Sequence, residues 1–356
     1  MQRWTFLLPY ALMPALAGPA SLPFCATRSA SAEPQAADDP LLKPHGPAGS
    51  EAGFSICICT FRRPNLLRQL LRALESADLD GLDCEIVIVD NDPAGSALPV
   101  IREWASRSPY PTVAVHVPTP NIALARNAAV HAARGKWVVF IDDDETPEPE
   151  WLWQLAATQH AERADIVIGP VLPRYPAGTP VWVRDCGVFE PHRYPTGTRL
   201  KSREAYSGNA LIRRSLLLQL PGPFEPSFGV TGGEDTMLFW DLEQRGARIV
   251  WCAEARAHET VPPARLRLRW ILLRSFRGGQ SFVRAEVERL RGVQRVSRTA
   301  TLFLGALVRL PVALGLSAVM LPFSRARAVR FLRAAFAQCG KITALVGHRY
   351  HEYATR

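Results

Sequence analysis

Two groups of acids stand where an apolar run meets a turn. The run KWVVFIDDD drives hydrophobic residues straight into Asp142, Asp143 and Asp144. Three adjacent carboxylates repel one another unless a cation neutralises them, so this spacing points to a bound divalent ion. The second group is GGED, in which Gly232 and Gly233 lead into Glu234 and Asp235 at the start of a predicted helix carrying Met237, Leu238, Phe239 and Leu242. Carboxylates at a helix N-terminus are favoured by the dipole and kept ionised, as a general base must be. A further acid, Asp90, ends the run EIVIVD, and His258 follows the strand RIVWC, where it can complete a metal site.

Asp142, Asp144 and Thr146 also spell D-x-D-x-T, the nucleophile pattern of haloacid dehalogenase-type phosphatases. That chemistry needs its nucleophile on the first core strand and a downstream lysine for phosphate. Here the acids end the fourth strand, and only Lys201 and Lys341 follow Lys136. The match is a coincidence of spelling, and Thr146 reads as a turn residue ahead of Pro147.

The elements that must hold these acids alternate between short apolar runs and helical segments, which predicts an α/β fold with a mostly parallel sheet flanked by helices. FSICICT is a buried strand, and Pro64 opens a helix with Leu66, Leu67, Leu70, Leu71 and Leu74 on one stripe. EIVIVD, TVAVHV and KWVVFIDDD are the next three strands, with IALARNAAVHAA as a helix after Asn121. Acids at the carboxyl ends of such strands converge on one crevice, where open α/β sheets bind their ligands. The catalytic domain is expected to span 51–260.

The chain has 356 residues and a net charge of +9, enough for one large domain with appendages. Much of the positive charge follows Arg256, which suits an anionic membrane surface or substrate. Zinc-finger spacing, RNP-type aromatics and a helix-turn-helix pattern are all lacking, so nucleic acid is not an expected partner. The 7 cysteines are an odd number in a chain too long to need disulfide staples, which favours a reducing compartment.

Residues 1–50 begin like a secretory signal, but Pro9 and Pro14 interrupt the apolar stretch and a Pro/Ala/Gly/Ser-rich linker follows, so a disordered extension or an upstream start site fits as well. Residues 261–298 read as amphipathic helices beside the site. Residues 299–356 read as a hydrophobic and basic membrane-associated segment, long enough to span at Thr299–Phe323 but carrying Arg309 and Pro311 near its centre. A span, an interfacial helix and a re-entrant hairpin all remain open.

The order CTFRRP, VDND, NIALARNAA, FIDDD, GGED resembles the family 2 glycosyltransferases of the GT-A fold, and among them the bacterial enzymes of exopolysaccharide and surface-glycan synthesis. The resemblance runs from about Phe54 to Gly279 and implies roles for particular residues. Thr60 and Arg62 would line the nucleotide site, Asp90 would accept a hydrogen bond from the base, and Arg126, Asp142 and Asp143 would lie near the nucleoside. Asp144 would ligate Mn2+ or Mg2+, with His258 approaching metal or diphosphate, and Asp235, next to Glu234, would be the catalytic base. The implied enzyme is an inverting hexosyltransferase-type catalyst using a nucleoside-diphosphate sugar, UDP-linked in the first instance, on a lipid-linked or glycan acceptor at the cytoplasmic face of the bacterial inner membrane.

Processive members carry Q-x-x-R-W, whereas this chain has Leu266 in place of the glutamine before Arg269 and Trp270, which favours transfer of one sugar at a time. The helix PARLRLRWILLRSFRGGQSF suggests that Trp270, Arg274 and Arg277 meet the acceptor. A catalytically silent nucleotide-sugar-binding scaffold is the competing class, and the intact set of Asp90, Asp142, Asp144 and Asp235 argues against it.

Overall fold

The structure is a computed structural model that describes residues 35–36, 53–229, 232–287 and 290–348. The signal-like reading of 1–50 falls, apart from residues 35–36, outside the described residues.

The central strand β2 (Phe54–Thr60) is buried from its second residue to its last. It needs apolar side chains on both faces because helices cover both. Ile56 and Ile58 face one layer, built from α1 (Pro64–Glu75), α2 (Leu98–Ala105) and α4 (Trp151–Glu162). Cys57 and Cys59 face the other, built from α3 (Ile122–Ala132), α6 (Arg214–Leu218) and α7 (Glu234–Gln244). On α1, Leu67, Leu70, Leu71 and Leu74 are the buried stripe.

β3 (Cys84–Asp90) and β5 (Trp137–Phe140) flank β2 in parallel, and β4 (Thr112–His116) continues the parallel half beyond β3. A two-residue strand β1 (Gln35–Ala36) adds antiparallel to β4. Beyond β5 the sheet becomes mixed: β9 (Ala210–Arg213) runs antiparallel to β5 and to β7 (Ile166–Ile168), and β10 (Ile249–Trp251) pairs in parallel with β7. A second sheet of β6 (Glu145–Pro147), β11 (Ala257–Thr260) and β8 (Val171–Arg174) stands beside the carboxyl ends of the first. The short helix α5 (Val181–Asp185) follows β8.

The C-terminal region is helical. It comprises α8 (Leu268–Val287), α9 (Gly292–Met320) and α10 (Arg325–Leu345). The boundary expected at residue 298 falls inside α9, which continues without a break through Pro311. The reversal of the chain lies after Met320, at 321–324, at the very end of the apolar segment rather than at its centre.

Candidate active site

A cleft of about 880 Å³ opens at the carboxyl ends of β2 and β5, the N-terminus of α7 and the first turns of α8. Strand β5 stops at Phe140, so the acids occupy the turn after it rather than the strand itself. The turn closes on itself: the Glu145 N–H donates to the Asp142 carbonyl at 3.0 Å, and the Asp142 N–H donates to Glu145 Oε2 at 3.1 Å. Gly208 packs against it so closely that a Cβ there would lie 2.6 Å from Glu145 Oε1.

Each acid has a separate neighbour. Thr60, the last residue of β2, donates its hydroxyl to Asp143 Oδ2 at 2.7 Å. Arg63 reaches Asp143 Oδ1 and Asp144 Oδ2, both at 3.2 Å, and Arg265 lies 3.8 Å from Asp144 Oδ2. Arg126, buried on α3, donates to Asp142 Oδ1 at 3.3 Å and to Glu234 Oε1 at 2.7 Å. One guanidinium therefore ties the acidic turn to the acidic helix start.

That helix start depends on glycine. Gly233 has φ 102°, a left-handed conformation in which a Cβ would be strained, and it turns the chain into α7. Glu234 is buried and Asp235 half-buried beside it, with the Thr236 N–H donating to Asp235 Oδ1 at 2.7 Å.

Eight carboxylates and five arginines line the cleft. The excess of acid shows in proton affinity. Burial pushes Asp143 up to about 6, against the opposing Thr60 hydrogen bond and Arg63, and burial followed by the Asp142 charge raises Asp144. Burial and then Asp142 push Glu145 well above the usual carboxylate range, and burial and then Asp144 raise Glu259. Glu234 is pushed to about 7 by burial and the Asp235 charge, which outweigh Arg126. At Glu234 the dipole at the start of α7 is therefore the smaller effect, and burial sets the direction of the shift.

This chemistry fits a divalent cation. Carboxylates whose proton affinity is raised by burial and by one another's charge are neutralised either by protons or by a metal ion. Among the described residues, no group of three or more His, Cys, Asp or Glu side chains forms a ready-made cage. The match is instead to an ion held by one or two carboxylates and completed by substrate oxygens and water, the usual arrangement for Mg2+ on phosphates. Asp142, with its side chain 42% exposed, and Asp144, at 18%, are the acids of the turn that reach the cleft's solvent.

Of the residues expected from sequence, Thr60, Arg62, Arg126, Asp142, Asp143, Asp144, Glu234, Asp235, Trp270 and Arg274 line this cleft together. Three do not. Asp90 is fully buried and spends both oxygens on the loop after β3, accepting from the Asp92 N–H at 3.0 Å and the Ala97 N–H at 2.7 Å. Its observed contacts shape that loop rather than present an acceptor to a base. His258 sits 3.0 Å from Glu148 Oε1, outside the cleft, because strand alternation along β11 sends the next residue, Glu259, inward instead. Arg277 lies further along α8, beyond the lining.

Sequence reasoning missed Arg63, Glu145, Glu259 and Arg265. Arg63 was visible beside Arg62 in CTFRRP, and Glu259 follows from period-two alternation once β11 is assigned. Arg265 and the stacking of Trp270 on Phe189, at 5.8 Å and 10° between planes, depend on tertiary placement. Arg265 and Arg274 each lie over the Trp270 ring, at 5.7 and 5.4 Å.

The parallel-to-mixed sheet, with acids after its strand ends and a second small sheet alongside, has the GT-A fold. The mannosyltransferase PcManGT from Pyrobaculum calidifontis, solved with GDP-Man and Mn2+, shares it at a TM-score of 0.58 and 17% identity, over 83% of this chain and 88% of that one. Residues 55–220 match the family profile Glycosyl transferase family 2. The succinoglycan biosynthesis protein ExoM of Rhizobium meliloti is 33% identical over 296 residues, covering 83% of this chain and 93% of ExoM. The glucosyl-dolichyl phosphate glucuronosyltransferase of Haloferax volcanii is 27% identical over 247 residues, 64% of this chain and 75% of its own length. The chain belongs to glycosyltransferase family 2 and is a glycosyltransferase.

Proposed function

We propose that the protein is an inverting, metal-dependent glycosyltransferase that moves one sugar from a nucleoside-diphosphate donor, UDP-linked in the first instance, to a lipid-linked or glycan acceptor in bacterial surface polysaccharide synthesis, at the cytoplasmic face of the inner membrane. The observation that carries this reading is the pairing of two acidic groups across Arg126 in one cleft. The biosynthetic setting is supported by the name of ExoM, a succinoglycan biosynthesis protein. A lipid-linked acceptor is supported by the glucuronosyltransferase named for glucosyl-dolichyl phosphate.

In this reading Asp142 and Asp144 hold the divalent ion. A bound Mn2+ or Mg2+ supplies the positive charge that a departing nucleoside diphosphate needs. Thr60 and Arg63 orient Asp143 and Asp144, and Arg63 gives up part of its ion pairing when the donor's phosphates arrive. Arg62 and Arg126 line the nucleotide side. Asp235 takes the proton of the acceptor hydroxyl as that oxygen attacks the anomeric carbon, which gives inversion in a single displacement. Glu234 stays hydrogen-bonded to Arg126 and holds the start of α7 against the acidic turn. Trp270, Phe189 and Arg274 form the acceptor wall.

The test is a panel of nucleoside-diphosphate sugars with Mn2+, scored by nucleoside diphosphate released with and without acceptor glycolipid. At least one donor turns over, chelation of the metal stops it, and Asp235→Asn lowers turnover by about 10²–10⁴-fold while calorimetric binding of UDP and Mn2+ persists. Near-normal turnover by Asp235→Asn would remove Asp235 from the base's role.

A further inference from the structure

Among the described residues, most of the exposed large hydrophobic side chains lie on α9 and the turn after it. Of the fifteen large hydrophobic side chains exposed among the described residues, eleven fall between Val293 and Phe323. Leu304, Val308, Val312 and Val319 recur at helical spacing on one face, and Leu321 and Phe323 extend it into the following turn. Only 17% of the helix's most apolar stretch is buried. The patch is continuous, which sets it apart from the scattered apolar residues normal on a soluble surface.

Length and hydropathy alone would allow α9 to cross a bilayer. Its attachments argue otherwise. The inner face, with Leu302, Ala306 and Ala313 buried, lies along α10, and Ser317 Oγ donates to the Ala328 carbonyl at 2.9 Å. Helix α10 is in turn pinned to the catalytic domain: Arg330 Nε donates to the Asp185 carbonyl at 2.9 Å, and Arg333 Nη1 to the Cys186 carbonyl at 2.6 Å. Carrying Arg327, Arg330, Arg333 and Lys341, α10 cannot follow α9 into hydrocarbon. A span would therefore strip α9 from its partner helix and put Arg309 near the bilayer centre.

The charges suit a different placement. Arg291 and Arg295 are exposed at the start of α9, and Arg325 and Arg327 just beyond its end. With about 1.5 Å per residue, 29 residues separate these two basic ends by roughly 43 Å. A helix lying flat can offer both ends to anionic headgroups at once, with Arg309 reaching the same layer by its long stem. We propose that α9 is an in-plane anchor that beds its outward apolar face into the interface of an anionic bilayer without crossing it. The anchor rests on α9 and α10 alone and holds for any sugar or acceptor. It bears on the active site because α10 packs on α8, which carries Trp270 and Arg274 in the cleft wall.

The experiment uses the full chain and vesicles of phosphatidylcholine with or without phosphatidylglycerol. The protein floats with the anionic vesicles, and the bound fraction falls about tenfold on omission of phosphatidylglycerol or in the triple variant Leu304→Ser, Val308→Ser, Val312→Ser. The same variant keeps donor turnover on a soluble acceptor analogue, so failure of the anchor and failure of the transferase reading are told apart. Topology is read in cells from one introduced cysteine at a time, Gln294→Cys or Arg327→Cys, with Cys25 and Cys339 replaced by serine and a membrane-impermeant maleimide as the probe. Both react in inverted membrane vesicles and neither in intact spheroplasts. Labelling of one end from each side shows a span and overturns the proposal. Indifference to both vesicle types, with a dimer that the triple variant dissolves, overturns it in favour of a second copy on this face.

Discussion

The cleft has two walls made by different means. The first wall is the carboxyl end of the sheet: Thr60, the Asp142–Glu145 turn and Arg126 of α3 are fixed by strand ends and by hydrogen bonds of 2.7–3.3 Å, one of them to Glu234. The opposite wall is a helix face: Trp270 and Arg274 are fixed by where α8 crosses α10. In the first wall charge is crowded and must be balanced locally. In the second, steric fit sets position, because Gly279 and Gly340 let the two helices touch backbone to backbone. A polar change should therefore damage the first wall and a single methyl group the second.

The largest effect is expected at Arg126, the link between the two acidic groups. Arg126→Met takes the counter-charge from buried Glu234, at a cost of about 3–5 kcal/mol in urea unfolding, and removes the partner of the more exposed Asp142. Transfer falls by at least about 10²-fold, on the scale of losing one preorganised donor. Arg126→Lys keeps the charge but cannot serve both carboxylates, so it should lie between. Wild-type stability in Arg126→Met would mean that the acidic wall does not depend on this bridge.

A smaller and more selective effect is expected at the helix crossing. A Cβ on Gly340 would sit 1.9 Å from the Phe276 carbonyl oxygen, and one on Gly279 2.1 Å from that of Ala337. Gly340→Ala forces α8 and α10 apart, at about 1–3 kcal/mol of overpacking strain. Calorimetric affinity for UDP and Mn2+ should stay within about twofold of wild type, an effect under 0.5 kcal/mol, while transfer to acceptor drops. Equal loss of both would show that the walls are mechanically one unit and would end the comparison.

How far the sequence could be read follows the same division. The sheet wall was legible because period-two alternation and strand-terminal acids are local signals, and FSICICT, EIVIVD and GGED fell on β2, β3 and the start of α7. Its errors came from facing rather than from location. Asp90 lies at the expected strand end but turns into the loop, and His258 lies on β11, a strand that the sequence reading did not assign, with its side chain against Glu148. Facing at His258 is decided by the pairing of β11 with β6 and β8, and at Asp90 by the Asp92 and Ala97 N–H groups of the following loop, and neither is a local pattern of residue types. The helical wall was less legible. Its composition pointed to amphipathic helices, yet the partnership of α8 with α10 rather than α9 rests on glycine contacts across about sixty residues of chain, roughly the separation of Gly279 and Gly340.

The finest expected effect tests how charge is balanced within the sheet wall. Glu234 is held at about 7, above its ordinary 4.5, because burial and Asp235 together outweigh Arg126. The folded protein therefore binds a proton at this site more tightly than the unfolded chain does. By linkage, Glu234's contribution to stability is fully present below about pH 4.5 and is lost as pH rises through about 7. Glu234→Gln removes that dependence while keeping shape and a hydrogen-bonding oxygen for Arg126. The measurement is the difference in urea unfolding free energy between wild type and Glu234→Gln at a series of pH values, in which the other titrating acids largely cancel. The wild type should lose ground against the variant as pH climbs from about 4.5 to about 7. A difference that instead grows in favour of the wild type over that range would mean that the Arg126 ion pair prevails over burial, and the two acidic groups would then be held by attraction alone.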